Sequence, residues 1–225
     1  AADKLLAGLG LDRSQVVDLF DLPADKILAA QASGGFGPGS GFGPTRDPAS
    51  LPEAPMVVVR DGGARDVALL IGSNRDEVKL FVPGRREPMA DEALLAEVRG
   101  RLPNATEPQA KELIEVYRAS RETKGLPTDN LDLLDAIGSD MQFRIAATKF
   151  ASAQAPHGPA YLYLFTHASP ARRGALGACH ALEMPFVFGT TGIEGQVNFA
   201  GAGPDVERLE GEIMDAWLAF ARTGN

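Results

Sequence analysis

Residues 67–77 read Val67-Ala68-Leu69-Leu70-Ile71-Gly72-Ser73-Asn74-Arg75-Asp76-Glu77, an apolar run that gives way abruptly to polar residues. A short run that is apolar at successive positions, rather than alternate ones, fits a strand buried on both faces of a sheet. Residues 161–165, Tyr161-Leu162-Tyr163-Leu164-Phe165, predict another strand. Residues 205–222 predict a helix whose Val206, Leu209, Ile213, Trp217 and Phe220 share one face, with Gly224 as its stop signal. Strands interleaved with helices indicate an α/β architecture.

The rest of the chain fits around this frame. Up to about residue 32, Leu5, Leu6 and Leu9, then Val16, Val17, Leu19 and Phe20, recur at spacings of short helices with one apolar face. Residues 33–55 are dense in Gly, Pro and Ser and predict a loop; no Gly-Lys-Ser/Thr follows, which argues against a phosphate cradle. Residues 56–59 are β-branched and predict a short strand closed by the turn Asp61-Gly62-Gly63. From about 89 to 156 the period is helical, cut into separate helices by Pro103, Pro108 and Pro127.

Composition sets bounds. A chain of 225 residues, 44% hydrophobic and 23% charged, can bury one sizeable core, and a single domain over 1–225 is expected. A net charge of −8 without a basic stripe argues against nucleic acid as a partner. Cys179 is the only cysteine, so neither an intrachain disulfide nor a Cys-rich zinc site can form; this fits a reducing compartment such as the cytoplasm without fixing it. No apolar run has the length of a membrane span, and the opening residues lack the pattern of a secretion signal.

Open α/β sheets carry functional residues on loops beyond the carboxyl ends of their strands. Glu77 and His180 both fall there. A carboxylate-held histidine can take a proton from a nucleophile, and acid before histidine is the chain order of α/β-hydrolases. Order alone is weak, because Asp76, Glu183 and Asp140 compete for the acid role. His157 and His167 read as surface residues, and the spacing of the histidines argues against a metal site. Cys179 reads as small buried filler rather than a nucleophile. Trp217 reads as helix packing, while Met184, Phe186 and Phe188 stay open between pocket and core.

Three local stretches make the pattern specific: residues 70–77; Gly177-Ala178-Cys179-His180-Ala181-Leu182-Glu183-Met184-Pro185-Phe186-Val187-Phe188-Gly189; and Trp217-Leu218-Ala219-Phe220-Ala221-Arg222-Thr223-Gly224-Asn225. In this order they resemble the type-B carboxylesterase/cholinesterase family, with weaker likeness at Ser139-Asp140-x-x-Phe143-Arg144 and Tyr161-Leu162-Tyr163. The resemblance implies the C-terminal portion of an α/β-hydrolase fold, with a central, mostly parallel sheet and flanking helices. It implies Glu77 as the acid and His180 as the base of a serine triad, Asp76 pointing elsewhere, and Glu183 and Asp140 buried and hydrogen-bonded in support of the histidine loop. It also implies a small carboxylic ester as substrate and no metal or organic cofactor.

The family's nucleophile sits in a Gly-x-Ser-x-Gly elbow, which no serine of this chain matches; Ser40 has Pro38 and Phe42 where the glycines belong. The serine and the oxyanion hole are therefore expected upstream of residue 1, in the N-terminal part of the same esterase, and the chain is expected to be a piece cut at both ends. Alone it should expose an unpaired sheet edge and hydrolyse no ester. The competing reading is a catalytically inactive, esterase-like interaction domain, against which the presence of both Glu77 and His180 argues.

Overall fold

The structure, a computed structural model, describes residues 2–34, 44–82 and 87–225; Ser40 and much of the expected Gly/Pro loop lie outside the described residues. The chain divides into two compact units, Ala1–Pro55 and Met56–Asn225.

The first unit holds helix α1 (Ala2–Gly8), a 3₁₀ segment (Arg13–Phe20) and helix α2 (Ala24–Ser33). Asp12 and Gln15 close a capping box at the start of the 3₁₀ segment. Short helices were expected here, but not the fate of their apolar face. A 3₁₀ period of three scatters Val16, Val17 and Phe20, and all three are exposed, Phe20 by 90%. Among the described residues of this unit, Leu6 and Ala30 are the buried apolar ones. In the described end of the loop, Asp47 accepts from the Ala49 and Ser50 N–H groups and forms a tight turn.

Residues 56–59 correct the sequence reading: they lie in a helix, α3 (Pro55–Arg60), not a strand. Pro55 suits a first helical turn, where its missing N–H leaves no bond unmade. The Asp61-Gly62-Gly63 signal is the end of this helix. Gly62 sits at φ +80°, and the Gly63 N–H reaches back to the Val58 carbonyl at 2.8 Å, a left-handed helix cap that shares its residues with hairpin turns.

Strands β1 (Leu69–Asn74) and β2 (Ala160–Phe165) pair in parallel, with Leu69 opposite Ala160 and Asn74 opposite Phe165. Parallel neighbours require a long crossover. Here it consists of α4 (Asp91–Arg101), α5 (Glu107–Thr123), α6 (Asn130–Ser139), a π-helical turn (Asp140–Arg144) and α7 (Ile145–Gln154). Pro108 does not break α5 but occupies its first turn, behind a capping box formed by Thr106 and Gln109. Leu94, Val98, Ala110, Ile114, Leu133 and Ile137 interlock as the core of α4, α5 and α6.

A second core forms around the segment after β2. Ala178, Cys179, Leu182 and Phe186 are fully buried and join Phe165, Ala200 and Val206. Two short helices, α8 (Met184–Val187) and α9 (Gln196–Ala200), lead to α10 (Pro204–Thr223). Leu209 and Ile213 of α10 pack on this core, Trp217 meets Tyr163 edge-on at 5.0 Å, and Gly224 ends the helix in the left-handed region. The expected α/β class with a parallel sheet and flanking helices is what the second unit displays.

Candidate active site

The carboxyl end of β1 builds the acid side. Asn74 ends the strand, Arg75 and Asp76 turn the chain, and Glu77 opens a short 3₁₀ segment (Glu77–Leu80). Glu77 is 5% exposed, and its Oε1 accepts from the Asn74 N–H at 2.7 Å. Behind it, the Val78 N–H donates to the buried Ser139 hydroxyl, and Lys79 pairs with Asp132 on α6. The carboxylate is fixed from both ends.

The histidine side arrives on the segment between β2 and α8. Glu77 Oε2 lies 2.7 Å from His180 Nδ1. An ionised carboxylate only accepts, so the proton resides on Nδ1, and Nε2 on the opposite edge of the ring is an acceptor. The His180 side chain stays 41% accessible although its partner is buried. A base tethered on one edge and open on the other is suited to removing a proton from an incoming hydroxyl.

Backbone contacts lock the two segments in register. Asp76 and Ala178 are doubly bonded to each other: the Asp76 N–H donates to the Ala178 carbonyl at 2.9 Å, and the Ala178 N–H donates to the Asp76 carboxylate oxygen Oδ2 at 2.9 Å. The His180 N–H donates to the Glu77 carbonyl at 3.2 Å. Asn74 Nδ2 donates to the Cys179 carbonyl at 2.7 Å and to the Glu183 carboxylate. Ala181 turns the chain at φ +64°, a conformation costing a non-glycine residue about 1 kcal/mol, which these contacts hold in place.

Of the four acids in competition, Glu77 is the one bonded to His180 among the described residues. Asp76 is buried beside it but serves Ala178 and Arg75. Glu183, half-buried, is tied to Asn74. Asp140 departs from its expected place: it accepts from the Tyr117 hydroxyl at 2.6 Å, lies 3.6 Å from Arg144, and borders a separate cavity of about 360 Å³. The neighbouring Ser139 takes the role of reaching the acid's segment. Burial pushes the Tyr163 hydroxyl up to about 12, with the charges of Glu183 and Glu77 adding, so this phenol stays neutral beside the site.

Two residues were given no place at the site by sequence reasoning, although Phe143 belongs to one of the weaker stretches of likeness. Phe81 and Phe143 flank the imidazole, their ring centroids 5.1 and 5.2 Å from that of His180. Phe143 is carried by the π turn, whose extra residue shifts the register of α6 relative to α7; such turns recur at functional sites. His167 also corrects its reading. It is half-buried, its Nε2 lies 2.8 Å from the Ala200 carbonyl, and its ring packs on Phe186 at 5.0 Å. His157 is exposed, as expected, against the Arg60 carbonyl. In the undecided run, Phe186 is core while Met184 and Phe188 are exposed. Among the described residues there is no cluster of three His, Cys, Asp or Glu able to hold a metal ion, and no helix long and apolar enough to cross a membrane.

The sequence model of the carboxylesterase family matches residues 8–225. The chain belongs to the carboxylesterase family. Para-nitrobenzyl esterase of Bacillus subtilis (strain 168) is 32% identical over 219 residues, covering 96% of this chain and 41% of the relative. Phenmedipham hydrolase of Pseudarthrobacter oxydans is 30% identical over 82% of this chain and 36% of its own length. Among solved structures, a PNB esterase superimposes with a TM-score of 0.73 at 31% identity, over 99% of this chain and 44% of that one. This carboxylesterase-family chain thus spans less than half the length of the relatives it matches.

Proposed function

We propose that this chain supplies the acid and the base of a Ser-His-Glu triad in a carboxylic ester hydrolase, with Glu77 as acid and His180 as base. The observation that carries the reading is the buried Glu77 carboxylate bonded at 2.7 Å to Nδ1 of an accessible imidazole. The nucleophilic serine and the oxyanion hole are assigned to upstream sequence of the same esterase, since no Gly-x-Ser-x-Gly occurs in these 225 residues.

In the reaction, the serine oxygen bonds to the ester carbonyl carbon as its proton passes to His180 Nε2 and the carbonyl electrons move onto oxygen. Glu77 stabilises the imidazolium. Collapse of the tetrahedral intermediate breaks the bond to the alcohol oxygen, which takes the proton from Nε2. Water then repeats the sequence on the acyl-enzyme and releases the acid, so no metal or organic cofactor enters. Phe81 and Phe143 beside the imidazole suit an ester carrying an apolar or aromatic group.

A fluorophosphonate probe separates the claims. The complete esterase should be labelled on a serine outside this chain, and the 225-residue chain alone should be neither labelled nor active. Labelling within this chain, or a complete protein inert to the probe, contradicts the assignment.

A further inference from the structure

We propose that Asn74 is a positioning residue for the Glu77–His180 pair, acting through the backbone of the histidine segment; this rests on the triad reading above. Asn74 is 2% exposed at the end of β1. Its amide uses both protons on the segment that carries the base: one goes to the carbonyl of Cys179, directly before His180, and the other to the carboxylate of Glu183, three residues after it. Its backbone N–H holds Glu77 Oε1. A single strand-end residue thereby fixes the acid and brackets the base on both sides.

The unmade bond at the same side chain points the same way. Asn74 Oδ1 is buried and has no hydrogen-bond partner among the described residues. A buried acceptor without a donor is costly to desolvate, and an apolar side chain of similar size would avoid that cost. The amide is accounted for by its two donors and by what they hold. Other contacts, from Asp76 to Ala178 and from the His180 N–H to Glu77, set the spacing of the two segments. The Asn74 side chain adds the restraint on the two residues between which His180 is suspended. A displacement of about 1 Å in a catalytic group can cost on the order of 100-fold in rate.

Substitution of the side chain leaves the backbone bond to Glu77 in place and isolates this role. Asn74→Leu removes both donors and the orphan acceptor; Asn74→Asp sets an acceptor against the Cys179 carbonyl and the Glu183 carboxylate. In the complete esterase, both variants should lower kcat by about 10- to 100-fold with KM nearly unchanged. In the same complete esterase, the downfield proton resonance of His180 Nδ1–H should broaden or shift while the circular dichroism is retained. Should Asn74→Leu fail to fold, Asn74→Ser, which keeps a single donor, should give a smaller loss of kcat. Wild-type kcat and an unmoved resonance in a folded variant overturn the inference. Glu77→Gln and His180→Ala, measured alongside, separate the two readings: if they abolish turnover while the Asn74 variants keep it, the positioning role alone fails, and if they too are fully active, the triad reading fails.

Discussion

Gly177 lies against Asp76 so closely that a Cβ added to the glycine would come within 2.5 Å of Asp76 Oδ2. Gly177 also sits at φ +54°, in the region where a side chain is strained. The pairing of Asp76 with the Ala178 N–H, one residue on, therefore depends on a missing side chain. Gly177→Ala should lower the melting temperature by roughly 3–10 °C through clash and backbone strain. Thermal unfolding followed by circular dichroism checks this, and an unchanged melting temperature would mean that the segment is free to give way.

Cys179 directly precedes His180 and is completely buried. Burial, with the charges of Asp76 and Glu77 adding, pushes its thiol up from the ordinary 9.0 to about 11. The folded state thus favours the neutral thiol, and the stability linked to it is present below pH 9 and lost as the pH rises toward 11. A thiol reagent at pH 8 should modify the native protein slowly and the unfolded protein fast. Cys179→Ala should flatten this part of the alkaline stability profile; rapid modification of folded protein would refute the burial argument.

Phe81 is 60% exposed although it touches the imidazole. Truncating an exposed ring leaves stability nearly unchanged, so an effect of Phe81→Ala on turnover would arise at the site. Phe81→Ala and Phe143→Ala should raise KM for esters with aromatic groups by roughly 2- to 10-fold each, with less effect on short aliphatic esters. Steady-state kinetics on a matched ester pair distinguishes this from a uniform loss.

The Asp132 carboxylate is pulled two ways: burial and neighbouring Asp129 raise its proton affinity, and Lys79 opposes them. It nevertheless anchors Lys79, two residues beyond Glu77. Lys79→Met removes the nearer of the two cations at this carboxylate, leaving Arg121 at 3.7 Å, and should destabilise the fold by about 1–3 kcal/mol, read from urea unfolding. Equal stability of the variant would show that the Lys79–Asp132 pair does not hold the fold together.

What the sequence discloses about this protein follows the range of each interaction. Strands β1 and β2 and helix α10 are legible because their signals are local: an apolar run, a one-sided stripe, a terminal glycine. The acid and the histidine stand out through the residues around them, although they lie 103 positions apart. Residues 56–59 mislead because β-branched residues ahead of Asp-Gly-Gly suit a strand and a capped helix equally, and only Pro55 leans toward the helix. His167 reads as a surface residue because its partners, Phe186 and Ala200, come from elements folded back onto it. Asn74 is hidden for the same reason: its amide contacts lie 105 and 109 positions away, while its neighbours mark only a strand end. Phe143 needed the π turn, an irregularity that apolar periodicity does not register.

The proposed triad stands or falls with His180, oriented by Glu77, as its base. The most direct measurement is the turnover of His180→Ala in the complete esterase on a simple carboxylic ester, with folding checked by circular dichroism. A folded protein whose kcat has fallen by about 10⁴-fold or more is expected. A folded variant that keeps most of its turnover would contradict the triad.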